Sequence, residues 1–326
     1  MIDSKGSDYL SQIVNPHDKF FKATFSNLDV AKDFLKHYLP EPILNIVDLA
    51  TIQAENNHYI QDDLKEAFSD LLYTANINGN KGYVYFLFEH KSYISRQAPL
   101  QLLNYMVKIW EDKAIKKNKG KLPLIIPMLI YHGAEGWTAP TNLSELIEGY
   151  EQLPEQAKTY IPNYRYILYD LSLHSNEQIR GRVETQVILR TLHSIFTNDI
   201  CTIQQTIKEA TEVFHQMSEE ETKIGLYKIF LYYILSVRQD LTIEKVIEIA
   251  KEISIERVED IMTIADQLRQ EGMQQGMQQG MQQGMQQGAE EERKKVIINM
   301  AKQGLSIDII AKAVGINSEQ VKRYLN

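Results

Sequence analysis

The stretch Phe68–Lys91, FSDLLYTANINGNKGYVYFLFEHK, constrains this chain more than any other part of it. Two runs rich in aromatic and aliphatic residues flank Asn78-Gly79-Asn80-Lys81-Gly82, and that punctuation predicts an antiparallel hairpin. A loop at Gly79-Asn80 sets Asp70 directly opposite Glu89, whereas a loop at Asn78-Gly79 makes the two acids diagonal neighbours. Either register leaves both on one face, because side chains alternate along a strand. The same parity gives that face to Lys91 and the other to Phe88 and His90.

Opposed residues on one sheet face stand roughly 4.5–5.5 Å apart at Cβ, so a bare Asp–Glu pair repels. A divalent cation removes the repulsion. Carboxylate oxygens suit Mg²⁺ or Mn²⁺, and a lysine beside them supplies positive charge or a proton-transfer group near an attacking water. The plainer alternative is a solvated face on which Lys91 is an ordinary ion-pair partner of Asp70 and Glu89. The spacing Asp-x18-Glu-x-Lys on such a hairpin is similar to the core of the PD-(D/E)XK nuclease superfamily.

Three further blocks stand around the hairpin. Asn15–Lys22, read as HDxxFK, opens a helical pattern with Phe21, Phe25, Leu28, Phe34, Leu35 and Tyr38 at its apolar positions, and Pro40 and Pro42 stop it. FEHKS closes the second strand, and PMLIYHG is followed by Trp137. In this order the blocks resemble the Rpn family of bacterial recombination-promoting nucleases, a transposase-like group within the PD-(D/E)XK superfamily. The resemblance is strong from Asn15 to Trp137 and looser beyond. It implies a metal-dependent DNA endonuclease whose acids are Asp70 and Glu89 and whose ExK lysine is Lys91. A further acid from before the hairpin would be Asp18 or Glu55, with helix N-capping as the other reading of Asp18. Gln101 and Tyr105 match a Q-x-x-x-Y pattern common in the family, which gives Gln101 either a site role or a place on a polar helix rim.

The sequence predicts a helix over Leu100–Ile115, with Gln101, Tyr105 and Lys108 near one face. Lys113, Lys116, Lys117, Lys119 and Lys121 form a basic run suited either to phosphate contact or to a solvated surface. Leu122–Tyr131 is a continuous apolar run suited to a strand buried on both faces. The expected fold class is therefore α/β: a restriction-endonuclease-like PD-(D/E)XK core with a helical extension and a C-terminal helix-turn-helix-like tail. The expected divisions are residues 1–140 for the core, 141–265 for the extension, 266–292 for a repeat linker and 293–326 for the tail. The linker carries GMQQ four times over, with Met273, Met277, Met281 and Met285 recurring every four residues. Each glycine costs a helix about 0.8–1.0 kcal/mol relative to alanine, so the segment is either a marginal helix open to self-association or a flexible connection.

The formal charge of −8 at pH 7 argues against a protein that coats nucleic acid through a broad basic surface, though not against a nuclease whose cations supply local positive charge. A single cysteine, Cys201, excludes a disulfide framework and is compatible with a reducing compartment. No basic, apolar leader opens the chain, and its apolar runs fall short of about 18 residues, so a cytoplasmic protein without membrane contact is expected. The expected cofactor is Mg²⁺ or another divalent cation, and the expected partners are DNA and a second copy met through the repeat and tail. The competing class is a non-catalytic DNA-binding, regulatory or transposase-related protein, for which intact Asp70, Glu89 and Lys91 give no reason.

Overall fold

A computed structural model describes residues 15–55, 69–89, 95–116, 120–174, 177–216, 220–238, 240–252 and 256–325. It forms two compact units, one within residues 15–264 and the other within residues 265–325. Among the described residues no helix is long and apolar enough to cross a membrane.

Helix α1 spans Pro16–Phe25, and proline at its first position suits a turn whose leading N–H groups have no intrahelical partner. Asn15, at φ 55°, is the N-cap residue. Asp18 lies inside the first turn, which corrects its reading as a cap. Helix α2, Leu28–Tyr38, begins afresh because the Asn27 side chain accepts from the Asp29 and Val30 amides. Strand β1 follows at Val47–Ala54, then β2 at Ser69–Ile77 and β3 at Asn80–Glu89. Asn78 and Gly79 both take positive φ, 48° and 76°, the signature of a type I′ hairpin turn. Of the two registers open in the sequence this selects the second, with Ile77 opposite Asn80 and Asp70 opposite Leu87.

Helix α3, Ala98–Trp110, widens into a π-helical turn at Glu111–Ile115 before the chain enters β4, Ile125–Tyr131. The last strand, β5, is Ile167–Asp170. The sheet runs β1-β2-β3-β4-β5, antiparallel through the first three strands and parallel from β3 to β5, and so continues beyond residue 140. One face packs Leu72, Tyr83, Tyr85, Leu87, Leu129 and Tyr131 against Ala98, Leu102 and Tyr105 of α3. The other carries Tyr73 and Phe86 under α1 and α2, where Phe25 and Phe34 meet Phe86 edge-on at 6.2 and 5.8 Å. Edge-to-face contacts at such distances are the preferred aromatic geometry.

Helices α4 (Val183–Ser194), α5 (Ile200–Gln216), α6 (Glu220–Val237) and α7 (Ile243–Lys251) form a further layer. It is tied to α2 where Asp33 Oδ2 accepts from the Arg182 amide at 2.6 Å and the Tyr38 hydroxyl donates to the Arg180 carbonyl at 2.9 Å.

Helix α8 runs from Glu256 to Lys302 and includes the whole repeat, so the GMQQ segment is helical. Beyond it, α9 (Ile307–Val314) ends on left-handed Gly315 and α10 (Ser318–Leu325) follows. Ile297, Ile310, Ala311 and Val321 form their shared core. Asn317 and Gln320 cap α10 reciprocally, the Gln320 amide donating to Asn317 Oδ1 at 2.8 Å and the Asn317 amide to Gln320 Oε1 at 3.1 Å.

Candidate active site

The acids of the hairpin fall at the sheet end where β2 begins and β3, β4 and β5 finish. Asp70 pairs with Leu87, and Glu89 lies two residues further along β3, so the two are diagonal neighbours on one face. Glu89 pairs in turn with Tyr131, and Tyr131 with Asp170, which carries the same face across the sheet. That is the face covered by α3. Lys91, like the side chains of Asp70 and Glu89, lies outside what the structure describes.

On α3 the Gln101 amide nitrogen is buried and has no hydrogen-bond partner among the described residues. Tyr105, one turn later, meets Tyr85 with ring centroids 5.4 Å apart. Four residues of helix advance about 6 Å, and so do two residues of strand. With Ala98 and Leu87 in the same packed cluster, Gln101 therefore sits toward the Leu87–Glu89 end of β3. A buried amide donor without a protein partner is costly. It is an observation that points to a ligand, water or neighbouring side chain at this end of the sheet.

The two further acids part company. Asp18 is buried, 8% exposed, on the opposite side of the sheet, since the Tyr73 hydroxyl donates to the Phe25 carbonyl of α1 at 2.6 Å. Its turn nevertheless reaches the same sheet end, because the neighbouring His17 ring lies 5.3 Å from that of His132, the residue after Tyr131. Glu55, just past β1, is engaged elsewhere: its Oε1 accepts from Lys113 Nζ at 2.5 Å, and Asp112 lies 3.5 Å from the same nitrogen. Lys113 is only 5% exposed, which withdraws it from the phosphate contact expected of the basic run, while Lys116 and Lys121 remain exposed.

Burial alone would lower the Lys113 pKa, but the Glu55 hydrogen bond and the charges of Glu55 and Asp112 outweigh it and raise the pKa above its ordinary 10.5. A raised pKa means that the pair's stabilisation is complete at neutral pH and fades as pH climbs past 10.5. Glu55→Gln should therefore cost about 1–2 kcal/mol at pH 7, less than a fully buried pair because Glu55 is part-exposed and Asp112 remains. Urea unfolding at pH 7 and above pH 10.5 checks this. An unchanged midpoint at pH 7 would remove the structural role.

The segment after β4 forms a clasp that the sequence did not disclose. The Tyr131 hydroxyl fills the space over Gly133, where a Cβ would lie 2.0 Å from it. The Trp137 ring meets Tyr131 edge-on at 5.0 Å. Asp170 Oδ2 accepts from the Trp137 amide at 2.6 Å, and its Oδ1 accepts from the Ser172 amide and hydroxyl. Asp170 thus accepts three hydrogen bonds within this clasp. Among the described residues no group of three or more His, Cys, Asp and Glu side chains converges to hold a metal ion.

A five-stranded mixed sheet covered by helices on both faces, with two acids diagonal at one end, defines a mixed α/β protein compatible with a nuclease-like fold. The family model described as "Putative transposase, YhgA-like" matches residues 15–224, and the chain belongs to that family. It is 28% identical over 261 residues to recombination-promoting nuclease RpnA of Escherichia coli K12, covering 80% of this chain and 86% of that protein. It is likewise 28% identical over 297 residues to inactive recombination-promoting nuclease-like protein RpnE of the same strain, covering 91% and 93%. RpnC, named a recombination-promoting nuclease, is 29% identical over 164 residues, 50% of this chain and 53% of its own length. No solved structure gives a significant match. The motif resemblance to the Rpn family therefore holds over most of the chain.

Proposed function

We propose that this protein is a metal-dependent DNA endonuclease that hydrolyses phosphodiester bonds and thereby promotes recombination. The observation that carries the reading is the ladder register, which puts positions 70 and 89 on one face at one sheet end, with the Gln101 amide, which has no hydrogen-bond partner among the described residues, on the helix above. The strand order, antiparallel for β1 to β3 and parallel for β3 to β4, supports a PD-(D/E)XK core. Relatives named as nucleases over most of the chain's length support the reaction class.

The donor set fits a hard divalent cation such as Mg²⁺: two carboxylates at diagonal positions, with Asp18 reaching the same sheet end from the other face. When bound, that cation supplies Lewis-acid stabilisation of charge on the phosphoryl oxygens. Asp70 and Glu89 would hold it. Gln101 would donate its buried amide hydrogen to the attacking water or to a non-bridging phosphate oxygen. Lys91 would position that water or receive its proton as the new P–O bond forms and the bond to the leaving oxygen breaks, without a covalent enzyme intermediate. Glu55, committed to Lys113, is left out of the site.

The three-helix tail, with its left-handed Gly315 between α9 and α10, suits a helix-turn-helix-like unit that engages DNA or a second copy. Exposed Met277, Met281 and Met285 on α8 favour self-association through the repeat. One comparison favours a non-catalytic reading instead: the relative covering 91% of the chain is named inactive. Purified protein incubated with supercoiled and linear DNA in Mg²⁺, Mn²⁺ or chelator decides between them. Nicked and linear products that vanish with chelator are expected. Binding without cleavage under every condition would establish the second reading.

A further inference from the structure

Two motif blocks of the sequence, His17-Asp18 and Tyr131-His132-Gly133, come together in space without either histidine entering the proposed chemistry. We infer that His17, His132 and Tyr233 form a post that positions the first turn of α1, and with it Asp18, at the sheet end of the proposed nuclease site. The inference rests on the functional reading above. It makes the helical layer part of the site's framework rather than a separate appendage.

His132 directly follows Tyr131, the ladder partner of Glu89, and is 1% exposed. Its Nε2–H donates to the Leu192 carbonyl of α4 at 2.5 Å, which fixes both the tautomer and the plane of the ring. The His17 ring lies 5.3 Å from His132, 5.7 Å from Phe196 and 5.5 Å from Tyr233. Phe196 also stacks on His132, at 4.7 Å. His17 Nδ1 and the Tyr233 hydroxyl are hydrogen-bonded at 2.8 Å.

Tyr233 belongs to α6 and is 1% exposed, and its ring lies flat on Phe20 of α1 at 4.2 Å with an interplanar angle of 9°. Burial pushes the pKa of its hydroxyl well up, so the group is neutral throughout the physiological range. Four elements therefore meet at one point: α1, the end of β4, α4 and α6.

Apolar side chains could fill this volume at lower desolvation cost, because each buried polar atom must find a partner. What hydrogen bonds add is a single permitted arrangement, whereas apolar packing tolerates sliding. Asp18 follows His17 without an intervening residue, so a rotation of the first turn of α1 shifts the one acid that this helix brings to the site. Displacements of about 1 Å can lower turnover on the order of 10²-fold, and a loosened post should produce part of that.

The test uses full-length protein and three variants. Tyr233→Phe removes only the hydroxyl and keeps the ring stacked on Phe20; His17→Phe removes the polar partner; His17→Gln retains a side-chain group able to bond Tyr233. Steady-state nicking of supercoiled DNA in Mg²⁺ gives kcat and KM, and thermal melting without DNA reports the fold. Tyr233→Phe and His17→Phe are expected to lose about ten-fold in kcat with KM within about two-fold, and His17→Gln to recover most of the loss. Wild-type cleavage with all three variants at the wild-type kcat overturns the inference and leaves the functional reading standing. So do equal losses in both His17 variants that follow their melting temperatures, since packing alone would explain them. A wild-type protein that does not cleave removes the functional reading, and the inference with it.

Discussion

Asp70→Asn and Glu89→Gln are each expected to reduce Mg²⁺-dependent DNA cleavage by about 10³-fold or more while leaving the folded state as stable as the wild type, or slightly more so. The first half follows from charge. Each substitution keeps the shape of the side chain and removes one of two anions that would hold the cation, so charge developing on the phosphoryl group loses its counter-ion. The second half follows from the ladder. Positions 70 and 89 are diagonal at a sheet end, where like charges destabilise modestly in the metal-free protein. Plasmid cleavage and thermal melting in chelator, measured on the same preparations, separate the two. Melting temperatures several degrees lower in both variants would show that the acids hold the sheet together, and the site would lie elsewhere. Undiminished cleavage would be equally decisive against it.

The parts of this structure that could be read from the sequence are those in which local chemistry and hydrophobic period agree. The hairpin is the clearest. Asn78-Gly79 is a favoured type I′ pair, yet Gly79-Asn80 is also a plausible loop, and one register puts Asp70 opposite Glu89 where the other puts it opposite Leu87. Only the positive φ of Asn78 and Gly79 settles it. The apolar run before Tyr131 is seen as a strand between two parallel neighbours, which buries both of its faces as a continuous run requires. Asn27 marks the break between α1 and α2 by its capping side chain.

Strand β1 was not legible, and its irregularity explains why. The pairing with β2 shifts register between Asp48 and Gln53, so the buried residues Val47 and Ile52 fall an odd number of positions apart. A bulge of this kind destroys the period-two signal. The Glu55–Lys113 pair was hidden for a different reason: its partners lie 58 residues apart, and Lys113 stands in a lysine run that reads as solvated surface. Charge type is visible in a sequence, whereas burial is not. The π-helical turn at Glu111–Ile115 lies where Lys113 turns inward to meet Glu55. The same limit applies to Asp170, whose two carboxylate oxygens accept from Trp137 and Ser172 in a clasp that only tertiary structure assembles.

That clasp leads to the second large effect, at a residue with no side chain. Gly133→Ala would set a Cβ 2.0 Å from the Tyr131 hydroxyl and 2.3 Å from its Cζ, far inside van der Waals contact, so the phenol must move. It has little room. Tyr131 is 3% exposed, Trp137 covers it edge-on, and Trp137 is held by its amide to Asp170 and by its indole N–H, which donates to the Tyr166 hydroxyl at 3.1 Å. Overpacking of this kind costs about 1–3 kcal/mol. Because Tyr131 is the ladder partner of Glu89, the strain falls on the strand that carries the acid, and kcat for cleavage should drop by about ten-fold or more. Gly82→Ala supplies the control. Its Cβ would meet Ile77 Cδ1 at 2.6 Å and the Leu124 carbonyl at 2.9 Å, so it should destabilise comparably, but at the hairpin-turn end of the sheet, away from positions 70 and 89. Urea unfolding should therefore show both variants weakened, while cleavage measured below their unfolding transitions should show only Gly133→Ala impaired. Equal impairment of the two, or a Gly133→Ala protein that cleaves at the wild-type rate, would disconnect the Tyr131 clasp from the site.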